Sequence, residues 1–319
     1  MDWRDRLARY FHNTLPSASA VEIEQGGAMP AGASNDTVGI DLAVTCDERR
    51  MTVPLVLRPQ RRDGILAPYD VSRQFRVMRA LQRTAVPVPA TAWYEPDTAV
   101  LGVPFFVMSR VAGVTPPLFW HGGMTNELLA IGEALAAIHA VDIEAAGLDF
   151  LMPCPGPASS IESELAAWRE RHRRNGLDGH PISDALYHWL VKNEPADARF
   201  ALLHGDPNPG NYLLREKSVV GVLDWELAAI GDPRSDLGFY AALMTIFAGA
   251  ASEDGRSVLS DAYATVTGEE LTSLAYYEAA GLYRMAVVIA GWSGPAGVGY
   301  ALEAIGRRLD HLLGPRWAG

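Results

Sequence analysis

Five short runs within the first 115 residues have the character of β-strands, and in the first two of them polar and apolar residues alternate, the period expected of half-buried strands. The runs are VEIEQ (21–25), TVGIDLAVT (37–45), MTVPLVLRP (51–59), TAWYE (91–95) and GVPFFVMSRV (102–111). Short turns join the first three, which favours an antiparallel meander over βαβ units.

Apolar residues recur at helical spacing elsewhere in the chain. Residues 71–82 carry a stripe of this kind, and residues 2–14 predict an amphipathic helix that ends before Pro16. Beyond residue 125 the helical period dominates, in 126–141, 161–174 and 182–193. The sequence therefore predicts an α+β protein with a β-rich lobe (residues 1–108), a hinge (109–117) and a mostly helical lobe (118–319).

Composition and charge narrow the functional class. The chain has 319 residues and a net charge of −11. The acidic excess lies beyond residue 115, which argues against nucleic acid as a partner. Apolar stretches near eighteen residues all contain a charge or a turn residue, and the first fifteen residues lack a signal-like apolar core. We therefore expect a soluble cytoplasmic protein without a membrane partner; the oligomeric state stays undefined.

The segment HGDPNPGN (204–211) concentrates polar and turn-forming residues, and GVLDWE follows shortly after it. A hairpin turning at EKS would place Tyr212 opposite Leu223 and Asn211 beside Asp224. An amide oxygen beside a carboxylate suits Mg²⁺, and Asp206 on the constrained loop could accept a proton from a hydroxyl. Each residue alone is typical of turns and caps. Their combination behind a β-rich lobe favours the functional interpretation.

HGDPNPGN followed by LDWE resembles the catalytic loop and metal aspartate of the aminoglycoside phosphotransferase family, which has a protein-kinase-like two-lobe fold. The segments GDPRSDLGFY (231–240) and YYEAAGLYRMAVVIAGW (276–292) are most similar to the subgroup related to the kinase-like domain of acyl-CoA dehydrogenase family members 10 and 11. The resemblance implies ATP, or GTP, and Mg²⁺ as cofactors. It makes Asp206 the catalytic base and Asn211 and Asp224 the metal ligands.

The same resemblance implies a nucleotide site in the first lobe. GASNDTV (32–38) is similar to the family's nucleotide loop, although alone it could equally be a hairpin turn. The usual lysine and glutamate of kinases are replaced by arginine and glutamine, and no lysine precedes Lys192. The implied nucleotide contacts are Gly32, Ser34, Asn35, Arg58 and Gln74, with the backbone of Ser109 and Val111 facing adenine.

Several alternatives stay open at the level of sequence. The acceptor would be a hydroxylated small molecule, either of hydroxyacyl-CoA type, of aminoglycoside type or another. The basic run RERHRR (169–174) is typical of a solvated helix face, with an anionic-acceptor patch as the alternative. The arginine and glutamine substitutions also permit a pseudokinase that binds nucleotide without turnover.

Two further expectations concern structural residues. We expect His204 to hold backbone rather than react, and Asp232 and Asp236 to cap and tie the segment after the metal site. The remaining histidines form no HxxxH or HxH set, and GxSxG, GxGxxG and P-loop motifs are absent from the sequence. Metallohydrolase, serine hydrolase and dinucleotide-binding classes are thereby disfavoured.

Overall fold

The computed structural model describes residues 2–28, 37–64, 66–117, 125–152, 160–247, 252–315 and 317. It divides into two compact units. Unit 1 comprises residues 1–82 and 88–112, and unit 2 comprises residues 83–87 and 113–319.

In its described residues, unit 1 is a five-stranded antiparallel sheet with two helices. The strand order is β1-β2-β3-β5-β4, and each pairing is antiparallel, so the predicted meander of the first three strands is confirmed. The elements in chain order are α1 (Trp3–Thr14), β1 (Ala20–Ala28), β2 (Val38–Cys46), β3 (Arg49–Pro59), α2 (Val71–Leu81), β4 (Thr91–Glu95) and β5 (Phe105–Ser109).

The helical and the strand periods of the sequence predict which side chains form the core of unit 1. Leu7 and Phe11 lie one helical turn apart on α1 and are fully buried. They pack against the inward face of the sheet, where alternate residues of β2 such as Ile40 and Leu42 point the same way. Asp70 begins α2, because its Oδ1 accepts hydrogen bonds from the backbone N–H groups at positions 72 and 73.

Unit 2 is mostly helical and carries two small antiparallel sheets, β6-β9 and β7-β8. The α+β prediction is thus confirmed. Its helices are α3 (Thr125–His139), α4 (Ser160–Arg174), α5 (Pro181–Lys192), α6 (Arg234–Phe247), α7 (Ser252–Thr267), α8 (Leu274–Gly297) and α9 (Gly299–Leu313). Its strands are β6 (Ala201–Leu203), β7 (Tyr212–Arg215), β8 (Ser218–Val222) and β9 (Ala229–Gly231).

Helices α6 and α8 cross closely at a pair of glycines. A Cβ on Gly238 would lie 2.2 Å from the carbonyl carbon of Tyr277, and one on Gly281 would lie 2.4 Å from the carbonyl oxygen of Gly238. The two backbones therefore approach to a distance that no larger residue would permit.

Among the described helices, none has both the length and the hydropathy required to cross a lipid bilayer.

The predicted register of the β7-β8 hairpin is wrong by one residue. Tyr212 pairs with Val222 rather than Leu223, because the turn contains two residues and a bulge follows between Leu213 and Leu214. Leu214 also exchanges backbone hydrogen bonds with Val114 on its other side. This second pairing involves a residue remote in sequence, which the hairpin's own pattern does not encode.

Candidate active site

The loop that begins at His204 is tied to the end of β8 by the histidine ring. His204 is fully buried; its Nε2 lies 2.8 Å from the carbonyl oxygen of Leu223, and its Nδ1 accepts from the backbone N–H of Asp206 at 3.2 Å. Because Nδ1 accepts, the ring proton belongs on Nε2, where it can be donated to the Leu223 carbonyl. The ring thus bridges two backbone segments, the structural role expected for it.

Gly205 follows in a conformation that requires glycine. Its φ is +83°, and a Cβ there would lie 2.2 Å from the carbonyl oxygen of Leu227. Its N–H and that of His204 donate to the two carboxylate oxygens of Asp236, each at 2.9 Å. One buried side chain of α6 therefore holds two successive peptide groups of the loop.

Asp236 is itself held by His139 at the end of α3, whose Nε2 lies 3.1 Å from Oδ2. The other ring nitrogen of His139 lies 3.0 Å from the hydroxyl of Tyr263. Burial raises the pKa of Asp236, but the hydrogen bond and charge of His139, together with His204 and the Gly205 N–H, lower it below its ordinary value. The carboxylate stays ionised and continues to accept from the loop.

Asp206 and Asn211 meet directly at the two ends of the loop. The Nδ2 of Asn211 donates to the carbonyl oxygen of Asp206 at 2.9 Å and to its Oδ2 at 3.0 Å. Asn208 supports this turn, because its Oδ1 accepts from the N–H of Gly210 at 2.8 Å. The nitrogen of the Asn211 amide is therefore committed to Asp206.

Asp224 adjoins this pair through the hairpin. The N–H of Leu223 donates to the carbonyl oxygen of Asn211 at 2.8 Å, and Asp224 is the next residue. Its backbone is left-handed (φ 59°, ψ 61°) at the start of a short 3₁₀ turn. Trp225 fixes that turn, since its buried ring donates from Nε1 to the carbonyl of Val222 at 3.0 Å. Asp206, Asn211 and Asp224 are thus brought to one place.

The pKa of Asp206 is raised above its ordinary value. Loss of hydration is the largest cause, and the negative charge of Asp224 adds to it. Electrostatic interactions with His204 and Arg284 and the hydrogen bond from Asn211 lower the pKa of Asp206 without cancelling the rise. A carboxylate with a raised pKa is a better proton acceptor near neutral pH than an ordinary aspartate.

The donor set fits Mg²⁺. The Asn211 amide turns its nitrogen to Asp206, so its oxygen would be the atom offered to a cation, and the Asp224 carboxylate would be the second ligand. All these ligand atoms are oxygens, as hard divalent cations prefer. The two like charges of Asp206 and Asp224 repel each other, and a bound cation would relieve that repulsion.

In unit 1, Arg58 and Gln74 are brought together. Arg58 is buried; its Nη2 donates to Oε1 of Gln74 at 3.3 Å, and its Nη1 donates to the hydroxyl of Thr37 at 2.9 Å. Both of these partners are neutral, so neither cancels the positive charge of the guanidinium, which suits phosphate oxygens. Thr37 is the first described residue after the Gly-rich segment; Gly32, Ser34 and Asn35 lie outside the described residues.

At the end of β5, Ser109 is engaged with the segment before β4. Its N–H donates to the carbonyl of Ala90 at 2.8 Å, and its Oγ accepts from the Ala90 N–H at 2.9 Å. An adenine could therefore meet its carbonyl oxygen but not its N–H. Val111 follows β5 and is partly exposed. The adenine contacts of both residues stay predictions.

The arginines of the basic run on α4 contact different partner side chains. Arg173 and Arg174 pair with Glu170, and Arg171 lies over the ring of Trp168. Arg169 donates to Asp184 at 2.7 Å and lies 2.8 Å from Nδ1 of His172. These contacts favour the structural interpretation of the run.

His172 also forms a candidate metal cluster with Asp178 and Asp184, the potential ligand atoms lying within 4.8 Å of one another. Arg169 already pairs with both carboxylates. The cluster therefore has its own cation and does not require a metal.

The sequence did not identify two residues that act on the loop. His139 lies in the predicted helix 126–141 and Arg284 in the segment 276–292 that carried the family resemblance, but their contacts to Asp236 and to the Gly205 carbonyl cross 97 and 79 residues of chain. Their position in those segments was the only sequence signal available.

Comparisons with known proteins identify the family of the chain. The sequence profile of a phosphotransferase enzyme family, APH, matches residues 28–275. Acyl-CoA dehydrogenase family member 10 of Mus musculus is 31% identical over 247 residues, which cover 74% of this chain and 22% of that protein. Member 11 of Gallus gallus is 32% identical over 248 residues, 73% of this chain and 30% of that protein. The chain thus spans less than a third of the curated relatives it matches.

Solved structures share the fold at low sequence identity. A candidate aminoglycoside phosphotransferase from Ralstonia eutropha superposes with a TM-score of 0.69 at 23% identity, covering 98% of this chain and 96% of that one. A choline kinase from Streptococcus pneumoniae gives a TM-score of 0.58 at 11% identity, covering 95% and 99%. The predicted kinase-like fold is confirmed. With the family profile matching most of its length, the chain belongs to the phosphotransferase enzyme family.

Proposed function

We propose that this protein transfers the γ-phosphoryl group of ATP to a hydroxyl group of a small molecule, with Mg²⁺ as the required cation. The observation that carries the proposal is the convergence of Asp206, Asn211 and Asp224, with the Asn211 amide nitrogen 3.0 Å from the Asp206 carboxylate. This arrangement separates a proton acceptor from two oxygen ligands, the division of roles that phosphoryl transfer requires.

Asp206 would orient the acceptor hydroxyl and take its proton. As the hydroxyl oxygen forms a bond to the γ-phosphorus, the bond from that phosphorus to the bridging oxygen of ADP breaks, and ADP leaves with the electron pair. Burial, the largest cause of the raised pKa of Asp206, would favour this proton transfer.

Asn211 and Asp224 would hold Mg²⁺, which neutralises charge on the phosphates when bound. In unit 1, Arg58 would bind phosphate oxygens while Thr37 and Gln74 keep its guanidinium oriented. Two proteins of the same fold support the nucleotide assignment: a choline kinase is known in complex with AMP, and an aminoglycoside phosphotransferase with AMP-PNP and hygromycin B.

ADP release with Mg-ATP tests the proposal across a panel of hydroxyacyl-CoAs, sugars, amino alcohols and aminoglycosides. We expect acceptor-dependent ADP release that requires Mg²⁺ and is abolished by chelation with EDTA. The panel also distinguishes the classes of acceptor. A preference for a hydroxyacyl-CoA would indicate that the similarity to acyl-CoA dehydrogenase family members 10 and 11 includes the class of substrate. ADP release that persists in EDTA would contradict the metal assignment.

A nucleotide-binding pseudokinase is the second candidate, and the Arg58–Gln74 pair favours it. A kinase lysine pairs with a glutamate, whereas here arginine donates to a neutral amide. Thermal stabilisation by Mg-ATP without ADP release from any acceptor would support this alternative. Acceptor-dependent turnover would exclude it.

A further inference from the structure

We propose that Arg284 is a positioning residue that fixes the orientation of Asp206 by holding the peptide group joining Gly205 to Asp206. The catalytic consequence rests on the proposed function. Arg284 lies on α8 and is only 4% exposed, and its Nη2 donates to the carbonyl oxygen of Gly205.

That peptide group is held at both of its polar atoms. Arg284 binds its carbonyl oxygen, and Nδ1 of His204 accepts from its N–H at 3.2 Å. Asn211 then fixes the side chain of Asp206 at 3.0 Å. With the peptide plane and the carboxylate both restrained, little freedom remains in the direction of the proposed base.

Arg284 is itself prevented from moving. Its Nη1 donates to Oε1 of Glu164 at 3.1 Å, and Oε2 of Glu164 accepts from the hydroxyl of Ser235 at 2.9 Å. The guanidinium also lies over two aromatic rings, with Cζ 4.1 Å from the ring centroid of Phe239 and 4.9 Å from that of Trp168. Helices α4, α6 and α8 therefore converge on one cation that touches the loop.

A role limited to neutralising Glu164 would not require this geometry. A single ammonium group could serve that carboxylate, whereas Arg284 uses one Nη for Glu164 and the other for Gly205. Lysine cannot reproduce a planar fork that spans two acceptors. The lysine variant therefore distinguishes a positioning role from simple charge pairing.

The structure also provides a route for chemical rescue. The Nε of Arg284 has no hydrogen-bond partner among the described residues, and the side chain lines a small cavity between α4 and α8 with Leu165, Tyr276 and Tyr283. Truncation to alanine would enlarge this cavity at the guanidinium position. Added guanidinium ion could then occupy the place that the side chain has left.

The test compares Arg284→Ala and Arg284→Lys with Arg307→Ala, a matched control on α9 whose side chain is 66% exposed. Hydrogen exchange of the peptide spanning 203–212 reports on the loop without any acceptor. We expect about tenfold faster exchange in Arg284→Ala than in the wild type, restored by millimolar guanidinium chloride but not by sodium chloride. Unchanged exchange would overturn the proposal.

Kinetics with an acceptor from the panel provide the second readout. We expect kcat to fall about 10- to 100-fold in Arg284→Ala while KM for ATP stays within about twofold, because orientation is lost and nucleotide contacts are not. The kcat of Arg284→Lys should regain less than half of the difference between Arg284→Ala and the wild type. Full recovery by lysine would show that Arg284 only neutralises Glu164.

If Arg284→Ala does not fold, Glu164→Gln is tested instead. This substitution weakens the ion pair that holds the guanidinium but keeps Arg284 in the protein. We then expect an intermediate increase in loop exchange, and an unchanged rate would overturn the proposal. The two hypotheses fail separately. Absence of ADP release from the wild type contradicts the proposed function, whereas an insensitive loop contradicts the role of Arg284.

Discussion

At the scale of single residues, the nitrogen and the oxygen of the Asn211 amide face different parts of the candidate site. Its nitrogen donates twice to Asp206, once to the carbonyl oxygen and once to the carboxylate. An aspartate in its place would offer oxygen to a cation but could not donate to Asp206. On the proposed function, the residue type at 211 would follow from having to serve a base and a cation together.

Asp206→Asn should lower the rate of acceptor phosphorylation by about 10²- to 10⁴-fold, because an amide cannot accept the hydroxyl proton. The melting temperature at pH 7 should stay equal to or exceed that of the wild type, because burial already disfavours the charged form of Asp206. ADP release and thermal unfolding measure the two effects. An unchanged phosphorylation rate would disprove the assignment of Asp206 as the base.

Arg58→Met should weaken Mg-ATP binding about 10- to 100-fold, the effect of losing a hydrogen-bonded charge. Isothermal titration with AMP-PNP measures the affinity. Arg50→Met on the same strand is the matched control, since Arg50 is exposed and pairs with Glu22 and Glu24. Equal AMP-PNP affinities for Arg58→Met and Arg50→Met would show that Arg58 does not bind the phosphates.

At the scale of elements, the junction between β9 and α6 is held by a buried ion pair. Asp232 accepts from Nε and Nη2 of Arg234 at 2.8 and 2.9 Å and from the N–H of Arg199 at 2.9 Å. Arg234 also reaches Asp197 at 2.9 Å. This junction begins the helix that carries Asp236, so its geometry sets the position of the loop.

Arg234→Met should lower the free energy of unfolding by about 3–5 kcal/mol, because it leaves Asp232 buried without its partner. Urea unfolding measures the loss. Adding Asp232→Asn should recover part of it, giving a double variant more stable than the sum of the single effects. Additive losses would show that the two side chains do not depend on each other.

At the scale of the whole molecule, two buried acids make stability depend on pH. For Asp232 and Asp236, burial raises the pKa, but hydrogen bonds and positive charges outweigh it and leave each pKa below its ordinary value. Each folded-state pKa thus lies below the unfolded value of about 3.9. Their stabilisation is present above that value and is lost as the pH falls through the folded-state pKa.

The free energy of unfolding should therefore decrease as the pH falls below about 4. Asp236→Asn should make this dependence shallower and cost about 1–3 kcal/mol at neutral pH, because it disrupts acceptance from two loop N–H groups. Urea unfolding from pH 3 to 7 tests both effects, with Glu303→Gln as the control, since the Glu303 side chain on α9 is exposed. Equal pH profiles for Asp236→Asn and the wild type would contradict this account.

Local patterns predicted most of the elements and the position of the loop. Short strand-like runs, two of them alternating, gave the strands of unit 1, and helical stripes gave helices such as α2 within one or two residues. The spacing of Asp206, Asn211 and Asp224 was also local information, because a hairpin brings its two ends together. The two-residue turn and the bulge between Leu213 and Leu214 gave that hairpin a register one residue away from the predicted one.

The sequence by itself determined most of the secondary structure, the family and the residue types of the candidate site, because each is carried by neighbours or by a short spacing. Tertiary structure alone decided which remote side chains support that site. Arg284 reaches Gly205, and His139 reaches Asp236, across 79 and 97 residues of chain. No local period encodes such contacts, since they exist only once the helices have packed.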